Sequence, residues 1–180
     1  MTTSPNDVGR VTSRGAGLGP RRLRRLNQVW IGDGYPQFFL TICTRDRQPV
    51  LANGSVQFRL REFLLGSPGR YGWWPTRYVL MPDHLHLLAS GSPTASPLGL
   101  WIKALKAYVS QRRVRWQLGF FDHVIRSDES EAEKWEYIRQ NPVRAGLVPK
   151  AEDWAFAGEL NDPEGNAVSG DTAYNSRRTN

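Results

Sequence analysis

Cysteine is almost missing from this chain of 180 residues, in which Cys43 stands alone within an apolar run. A single thiol excludes a disulfide framework and a thiolate zinc site, and we expect it to be a small buried hydrophobe. Apolar stretches near the ~20 residues of a membrane span are also missing, and no apolar signal segment follows the arginines near the N-terminus. The composition therefore predicts a protein of the reducing cytoplasm.

Lysine is scarce in a chain that is strongly basic, with 24 Lys and Arg against 17 Asp and Glu and a net charge of +7. Only four of the basic residues are lysines. A guanidinium group suits bidentate phosphate contact and stacking on bases better than an ammonium group does. Together with seven Trp and seven Phe, the arginine excess favours a nucleic-acid partner. Simple solubility, or an arginine-rich proteome, is the alternative explanation.

The two ends of the chain have few apolar residues. Residues 1–28 carry six arginines against a single acid, which predicts a disordered basic arm that contacts phosphates. The candidate DNA contacts in this arm are Arg21, Arg22, Arg24 and Arg25. Residues 159–180 are polar and rich in Gly, Ser and Asn, which predicts a disordered tail. One folded domain is therefore expected over residues 29–158.

Three segments of this domain have the composition or period of β-strands, and a further extended segment begins at Trp73. The strands are predicted at 38–44, at 77–89 and, as a short strand or turn, at 120–126. Pro82 falls inside the second of them, which predicts an edge strand or a bulge at that point.

Three other segments have helical spacing. The first covers 53–65 with Asn53 as its N-cap, and the second covers 98–118. The third opens with the capping box Asp128-x-x-Glu131 and ends near Asn141, before Pro142. Because the strands are too few for a doubly wound sheet, we expect an α+β fold, an antiparallel sheet with helices packed on it.

The long helix predicted at 98–118 has an apolar stripe and a basic face. Tyr108 lies on the stripe and is expected in the core. The basic face is either solvated or in contact with nucleic acid, and its residues are Lys103, Lys106, Arg113 and Arg115.

Histidine is also scarce, with three residues in the chain, and two of them, His84 and His86, lie two positions apart. In a strand, residues two apart share a face, so both imidazoles should project from one side while Leu85 and Leu87 point to the other. Paired imidazoles supply half of a metal site. The alternative is two ordinary polar residues on a half-exposed face. His123, the third histidine, is expected to pack, to contact phosphate or to support the site.

Tyr137 and Asn141 lie four residues apart on the third helix, so they share one of its faces. The Asn amide oxygen is a hard metal ligand that complements two imidazoles, and a tyrosine phenol can attack phosphorus to form a phosphotyrosine. A divalent cation at the phosphate would stabilise the charge that develops there. Taken alone, Tyr137 would be read as a core or half-buried aromatic residue.

These residues occur in segments that resemble a known family. Residues 78–88 (Tyr-Val-Leu-Met-Pro-Asp-His-Leu-His-Leu-Leu) closely resemble the metal-binding strand of the IS200-like transposases, which are single-tyrosine members of the His-hydrophobic-His nuclease superfamily. Residues 121–126 (Phe-Asp-His-Val-Ile-Arg) and 136–148 (Glu-Tyr-Ile-Arg-Gln-Asn-Pro-Val-Arg-Ala-Gly-Leu-Val) resemble the second half of that domain. The latter pattern is especially similar to the REP-associated tyrosine transposases, named for repetitive extragenic palindromes. The resemblance extends over about 35–158, including 38–47 and 154–156.

The resemblance implies a ferredoxin-like fold and a set of roles. His84, His86 and Asn141 would bind Mg²⁺ or Mn²⁺. Tyr137 would attack a single-stranded DNA phosphodiester near a palindromic hairpin, leaving a 5′-phosphotyrosine and a free 3′-OH. The setting implied is the nucleoid in a prokaryotic cytoplasm, the protein is a monomer or homodimer, and the basic arm reads DNA beside the hairpin. A binding module for structured single-stranded DNA or RNA that no longer cuts, and a phosphodiesterase that uses activated water, remain as alternatives.

Overall fold

The computed structural model describes residues 35–111, 113–125 and 131–160. The predicted basic arm with its four candidate arginines, the tail from residue 161 onward and the capping residue Asp128 lie outside these residues. The five strands are β1 (Gln37–Cys43), β2 (Trp73–Leu80), β3 (His84–Gly91), β4 (Phe121–Ile125) and β5 (Ala157–Glu159). The helices are α1 (Gly54–Leu65), α2 (Ser67–Tyr71), α3 (Leu98–Ser110), α4 (Glu131–Arg139) and α5 (Asn141–Arg144), with 3₁₀ turns at Arg45–Arg47 and Ala151–Asp153.

The strands form one sheet in the order β4-β1-β3-β2-β5, and every pair is antiparallel. The first four strands and the helices α1 and α3 follow the β-α-β-β-α-β sequence of a ferredoxin-like unit, in which β3 lies between β1 and β2. β5 extends the sheet at the β2 edge. The α+β prediction is confirmed. No helix of the described ranges is long and apolar enough to cross a bilayer.

One face of the sheet packs against α1 and α3 and holds the main core. β3 contributes Leu85 and Leu87, which are fully buried there. Trp101 of α3 is also fully buried: its ring stacks on Trp73 with centroids 4.9 Å apart, and its Nε1 donates to Ser67 Oγ at 2.9 Å. An indole N–H in a core needs such an acceptor. This core fixes β3 in the middle of the sheet.

Asn53 caps α1, as predicted, since its side-chain oxygen accepts from the Val56 backbone N–H at 3.0 Å. The helix then buries four apolar residues at spacings of three and four against the same face of the sheet. These residues are Val56, Leu60, Phe63 and Leu64.

The histidine segment is a hairpin and not the single strand predicted at 77–89. β2 ends at Leu80, and β3 begins at His84 after a tight turn that contains Pro82. The turn is held by the Met81 N–H, which donates to the His84 carbonyl at 2.8 Å. The prediction that Pro82 marks an edge strand or a bulge was wrong, because β3 is the central strand and the proline lies in the connection, where no ladder donor is needed.

The long helix is also shorter than predicted. α3 ends at Ser110, and Gln111 has a φ of 36°, outside the right-handed helical region. The chain then runs beside the end of β1, where Trp116 bridges to Thr44. Trp116 matches the helical spacing but packs against the core from this extended segment. Tyr108 is not a core residue, since 37% of it is exposed.

The third predicted helix differs less from the structure than the long helix does. α4 ends at Arg139, close to the predicted end, but the chain forms one further turn, α5, with Pro142 in its first turn. Proline is tolerated there because the first N–H groups of a helix have no intrahelical acceptor.

Cys43 is partly exposed and not buried as expected. Arg47 Nη1 donates to its Sγ at 2.9 Å.

Candidate active site

His84 and His86 project from the sheet face opposite the main core, as the period of two predicts. Their Nε2 atoms are 3.0 Å apart, and Leu85 and Leu87 are buried on the other side. Both histidines are largely shielded: the His84 side chain is 15% exposed and His86 is 8% exposed. The prediction that the two imidazoles share a face is confirmed, and they converge with their Nε2 atoms toward each other.

Each imidazole is held at its other nitrogen. His84 Nδ1 lies 2.6 Å from Asp83 Oδ1, and a carboxylate only accepts, so the His84 Nδ1–H is the donor and Nε2 is the nitrogen that faces His86. His86 Nδ1 is hydrogen-bonded to Thr41 Oγ1 at 3.0 Å. Partners of this kind set the tautomer and ring direction of metal-binding histidines.

Asp83 is itself fixed, because Arg47 Nε lies 2.8 Å from Asp83 Oδ2. Arg47 has a φ of 54°, in the left-handed region that residues other than glycine seldom adopt. This conformation costs about 1–3 kcal/mol and places the guanidinium against the carboxylate. The strained backbone at Arg47 thus helps to fix Asp83, which in turn supports His84.

The histidine pair suits a small divalent cation. Two ligands at right angles around an octahedral ion, ~2.1 Å from each, are about 3.0 Å apart, and the two Nε2 atoms, which are within hydrogen-bond distance of each other, have this separation. The described residues contain no cluster of three His, Cys, Asp or Glu side chains that could hold an ion. Asn141, the third ligand that the resemblance implies, would contribute an amide oxygen, which is not one of these side-chain types, and its role as a ligand stays a prediction.

His86 is prepared as a neutral ligand. The pKa of His86 is lowered to about 3, first by burial and then by the charges of His84, Arg144 and Arg47, while the charge of Asp83 opposes the shift. A neutral imidazole has a lone pair to offer a metal. Arg144, which lies on α5, is one of the charges that contribute to this shift.

The face that carries the histidines also receives α4. Glu131 at the start of α4 accepts a hydrogen bond from Gln37 Nε2 at 2.6 Å. Ile138 near its end is buried in a cluster with Val79 and Leu88, and Val79 pairs with His86 in the sheet. A nine-residue helix rises about 13 Å, which is similar to the distance along β1 from Gln37 to Thr41. The end of α4 that carries Tyr137 therefore lies toward the histidine end of the sheet, and Asn141 begins the next helical turn.

Tyr137 is 60% exposed, so it is not the core aromatic that the residue alone suggested. The Arg144 guanidinium lies over its ring, 4.3 Å from the centroid, and donates to the Tyr137 carbonyl and to Asn141 Oδ1. Tyr137 and Asn141 thus lie on one side of the helical segment, as predicted, with Arg144 joining them. Their chemical roles stay predictions.

Tyr108, the rival tyrosine, differs in its environment. It lies on α3, which packs on the opposite face of the sheet, and its ring contacts Phe63 with centroids 5.7 Å apart. A hydrogen bond to the Glu62 carboxylate raises the pKa of Tyr108, which makes its phenol harder to ionise. Both its position and its raised pKa argue against Tyr108 as the nucleophile.

Four supporting residues were not predicted. Asp83, Thr41, Arg47 and Arg144 surround the histidines and the tyrosine. Only Asp83 had a signal in the sequence, since it directly precedes His84. The other three reach the site through strand register, a strained turn and the extra helical turn after Pro142.

Phe121 is a further unpredicted feature of this face. It pairs with Thr41, and Thr41 pairs with His86, so paired side chains put all three on one side of the sheet. Phe121 is 57% exposed. His123 pairs with Phe39 in the same sheet, and Phe39 stacks on His86 with centroids 5.4 Å apart. His123 therefore lies on the site face, and its role stays open.

The predicted basic face of the long helix is divided in the structure. Lys103 is exposed on α3, whereas the Lys106 ammonium donates to the carbonyls of Gln117 and Gly119 at 2.8 and 2.6 Å. Arg113 and Arg115 are exposed beyond the helix end. Arg115 adjoins the end of β1, because its carbonyl accepts from the Arg45 N–H at 2.8 Å. The four residues do not form one helix face, and their contact with DNA stays a prediction.

Comparison with known proteins agrees with this architecture. The chain is 27% identical over 123 residues to a REP-associated tyrosine transposase of Escherichia coli K12, covering 67% of this chain and 74% of that protein. It is 24% identical over 137 residues to a Haemophilus influenzae protein whose name gives the same assignment provisionally, covering 67% and 77%. A solved structure of a REP-associated tyrosine transposase bound to a REP hairpin shares the fold, with a TM-score of 0.59 and 22% identity over 72% of this chain and 82% of that one.

The family described as "Transposase IS200 like" matches residues 37–141. The match covers 105 of the 180 residues and extends from the first residue of β1 to Asn141. It therefore includes the histidine pair, the tyrosine helix and the whole ferredoxin-like unit. This protein belongs to the IS200-like transposase family.

Proposed function

We propose that this protein is a metal-dependent single-stranded DNA endonuclease and strand transferase that cleaves near palindromic hairpins. The observation that carries the proposal is the convergence of the His84 and His86 Nε2 atoms, 3.0 Å apart, with both Nδ1 atoms fixed. An arrangement in which both ring directions are set in advance is what a metal ligand pair requires. An exposed tyrosine on a helix packed on the same face supplies a nucleophile.

The metal proposed is Mg²⁺ or Mn²⁺, held by His84, His86 and Asn141. Two imidazoles favour Mn²⁺ by intrinsic affinity, whereas Mg²⁺ prefers oxygen ligands. When bound, the ion supplies Lewis-acid stabilisation of the charge on the phosphate. The exposed Arg144 beside Tyr137 adds a second positive charge for the same phosphate.

In the proposed reaction the Tyr137 phenol oxygen bonds to phosphorus and the bond from phosphorus to the 3′ oxygen breaks. The phenol loses its proton, and the departing 3′ oxygen gains one, so a 3′-OH and a 5′-phosphotyrosine result. The phosphodiester is exchanged for another phosphodiester. Rejoining to a new 3′-OH is the reverse step and needs no ATP.

A route for the DNA strand follows from the surface next to the histidines. Phe121 offers an exposed ring on the site face, and exposed aromatic rings stack on bases of any sequence. An open groove of about 410 Å³ lies next to Thr44 and is lined by Arg45, Asp46, Arg47, Gln117 and Leu118. Its two arginines suit contact with the backbone of a single strand, and Leu118 adds one apolar side chain beside them. The hairpin-bound relative is consistent with DNA as the partner.

The test is a cleavage assay with hairpin DNA labelled at either end. With Mn²⁺ and 3′-labelled DNA, the label should move to a protein-sized band on a denaturing gel, because the 5′ phosphate of that fragment stays on Tyr137. With 5′-labelled DNA, only a free shorter fragment should appear. Tyr137→Phe should abolish the protein-sized band, and Tyr108→Phe is the matched control that should keep it.

The other outcomes separate the alternatives. Cleavage without a protein-linked label would indicate activated water as the nucleophile. Hairpin binding with no cleavage in any divalent metal would indicate a binding module. A protein-linked band of full yield in Tyr137→Phe would refute the role assigned to this residue.

A further inference from the structure

Arg144 makes an unusual set of contacts at the proposed site. Its guanidinium donates to Asn141 Oδ1 and to the Tyr137 carbonyl and lies over the Tyr137 ring, 4.3 Å from the centroid. The residue is exposed, so its side chain can leave these partners for others in solvent. One cationic group thus touches both the proposed nucleophile and the proposed third metal ligand.

The contact with Asn141 competes with the proposed metal. Asn141 Oδ1 is the oxygen that the ion would take, and Arg144 already places a positive charge there. An amide oxygen has two lone pairs, but two cations at one oxygen repel each other. The guanidinium therefore already holds the Asn141 oxygen that the proposed ion would bind.

The Arg144 side chain can leave Asn141 through a movement confined to the α4–α5 junction. α4 and α5 meet at Gln140, and Pro142 has no N–H to continue the backbone ladder. Arg144 bonds across this junction to the Tyr137 carbonyl. Rotation of one side chain, three residues beyond Asn141, releases the amide oxygen without moving the sheet or the histidines.

We propose that Arg144 is a positioning residue that holds Asn141 and Tyr137 in place of the metal and transfers to a phosphate oxygen of the DNA when the metal binds. This inference rests on the proposed function. A guanidinium pairs with phosphate through two parallel N–H donors, and a phosphate in reach of the Tyr137 phenol is in reach of a group stacked on its ring. Release of Arg144 to the DNA frees Asn141, so metal and DNA each strengthen the binding of the other.

The experiment measures two affinities in wild type, Arg144→Ala and the matched control Arg139→Ala. Arg139 is on the same helical segment and pairs with Glu136 at 2.8 Å, so its removal costs the same charge outside the site. The first measurement is Mn²⁺ affinity without DNA, by calorimetry. The second is the increase in hairpin affinity, by fluorescence anisotropy, when Mn²⁺ is added.

Arg144→Ala should bind Mn²⁺ about fivefold more tightly than wild type without DNA, because one nearby positive charge is gone. The Mn²⁺-induced gain in hairpin affinity should be lost, where wild type should show a gain of about 5–150-fold, the usual size of coupling between two sites. Arg139→Ala should match wild type in both. Arg144→Lys keeps the charge but lacks the planar fork, and it should retain part of the coupling.

Weaker Mn²⁺ binding by Arg144→Ala would overturn the inference, because it would mean that Arg144 only builds the site. Unchanged Mn²⁺ affinity and unchanged coupling would overturn it as well. If Arg144→Ala does not fold, the same two affinities are measured for Arg144→Lys. Full wild-type coupling between Mn²⁺ and the hairpin in that variant would refute the requirement for a planar guanidinium group. The proposed function fails differently: wild type itself would bind no Mn²⁺, or would give no tyrosine-linked DNA.

Discussion

Substitution of Thr41 by valine tests whether the hydrogen bond behind His86 supports metal binding. Valine keeps the shape of threonine and removes only the hydroxyl that lies 3.0 Å from His86 Nδ1. A hydroxyl both donates and accepts, so Thr41 can serve either tautomer of His86, whereas valine can serve neither. Loss of a partner of this kind lowers metal affinity by about 10–100-fold, which is about 1.4–2.7 kcal/mol of binding free energy.

The same substitution should also lower the free energy of unfolding. His86 is 8% exposed, and a buried polar atom left without a partner costs about 1–3 kcal/mol. The assays are Mn²⁺ calorimetry and urea denaturation of the metal-free protein. Thr94→Val is the matched control, because Thr94 is exposed in a loop and its hydroxyl lies 3.3 Å from Ser92 Oγ. A folded Thr41→Val protein with wild-type Mn²⁺ affinity would refute the reasoning.

Three further predictions concern DNA binding and the core. Phe121→Ala should weaken binding of a hairpin with a single-stranded flank by about 1–3 kcal/mol through lost base stacking, whereas Phe58→Ala, a similarly exposed ring (53%) on α1, should leave anisotropy titrations unchanged. Trp101→Ala should lower the free energy of unfolding by about 3–5 kcal/mol in urea titrations, since the ring is fully buried; a loss below 1 kcal/mol would contradict its place in the core. Hairpin binding should weaken as salt rises. Charge reversal of Lys103, Arg113 and Arg115 should reduce the slope of this salt dependence, and an unchanged slope would contradict phosphate contact by these residues.

Local patterns predicted the parts of the site that lie within one element. The two-residue spacing of His84 and His86 was sufficient to place both imidazoles on one face, because a strand allows no other arrangement. The four-residue spacing of Tyr137 and Asn141 worked in the same way on a helix. The Asn53 cap was predicted for the same reason, since its hydrogen bond reaches only three residues ahead.

Contacts between distant elements were beyond such patterns. Thr41 reaches His86 because β1 and β3 pair in a particular register, which the whole sheet decides. The helix predicted to Leu118 was too long because Trp116 keeps helical spacing while its position is set by the bridge to Thr44. The contact of Arg144 with Tyr137 was not predicted for a related reason. Pro142 predicted the end of the helix, whereas the chain makes another turn that brings Arg144 over Tyr137.

The measurement that tests the central claim most directly is mass spectrometry of the covalent protein–DNA product. After reaction with a hairpin and Mn²⁺, digestion by nuclease and trypsin should leave nucleotide mass on the peptide 135–139, which contains Tyr137 between the cleavage sites at Lys134 and Arg139. Nucleotide mass on the peptide 107–112, which contains Tyr108, would contradict the assignment of the nucleophile. Cleaved DNA with no modified peptide would contradict tyrosine chemistry altogether.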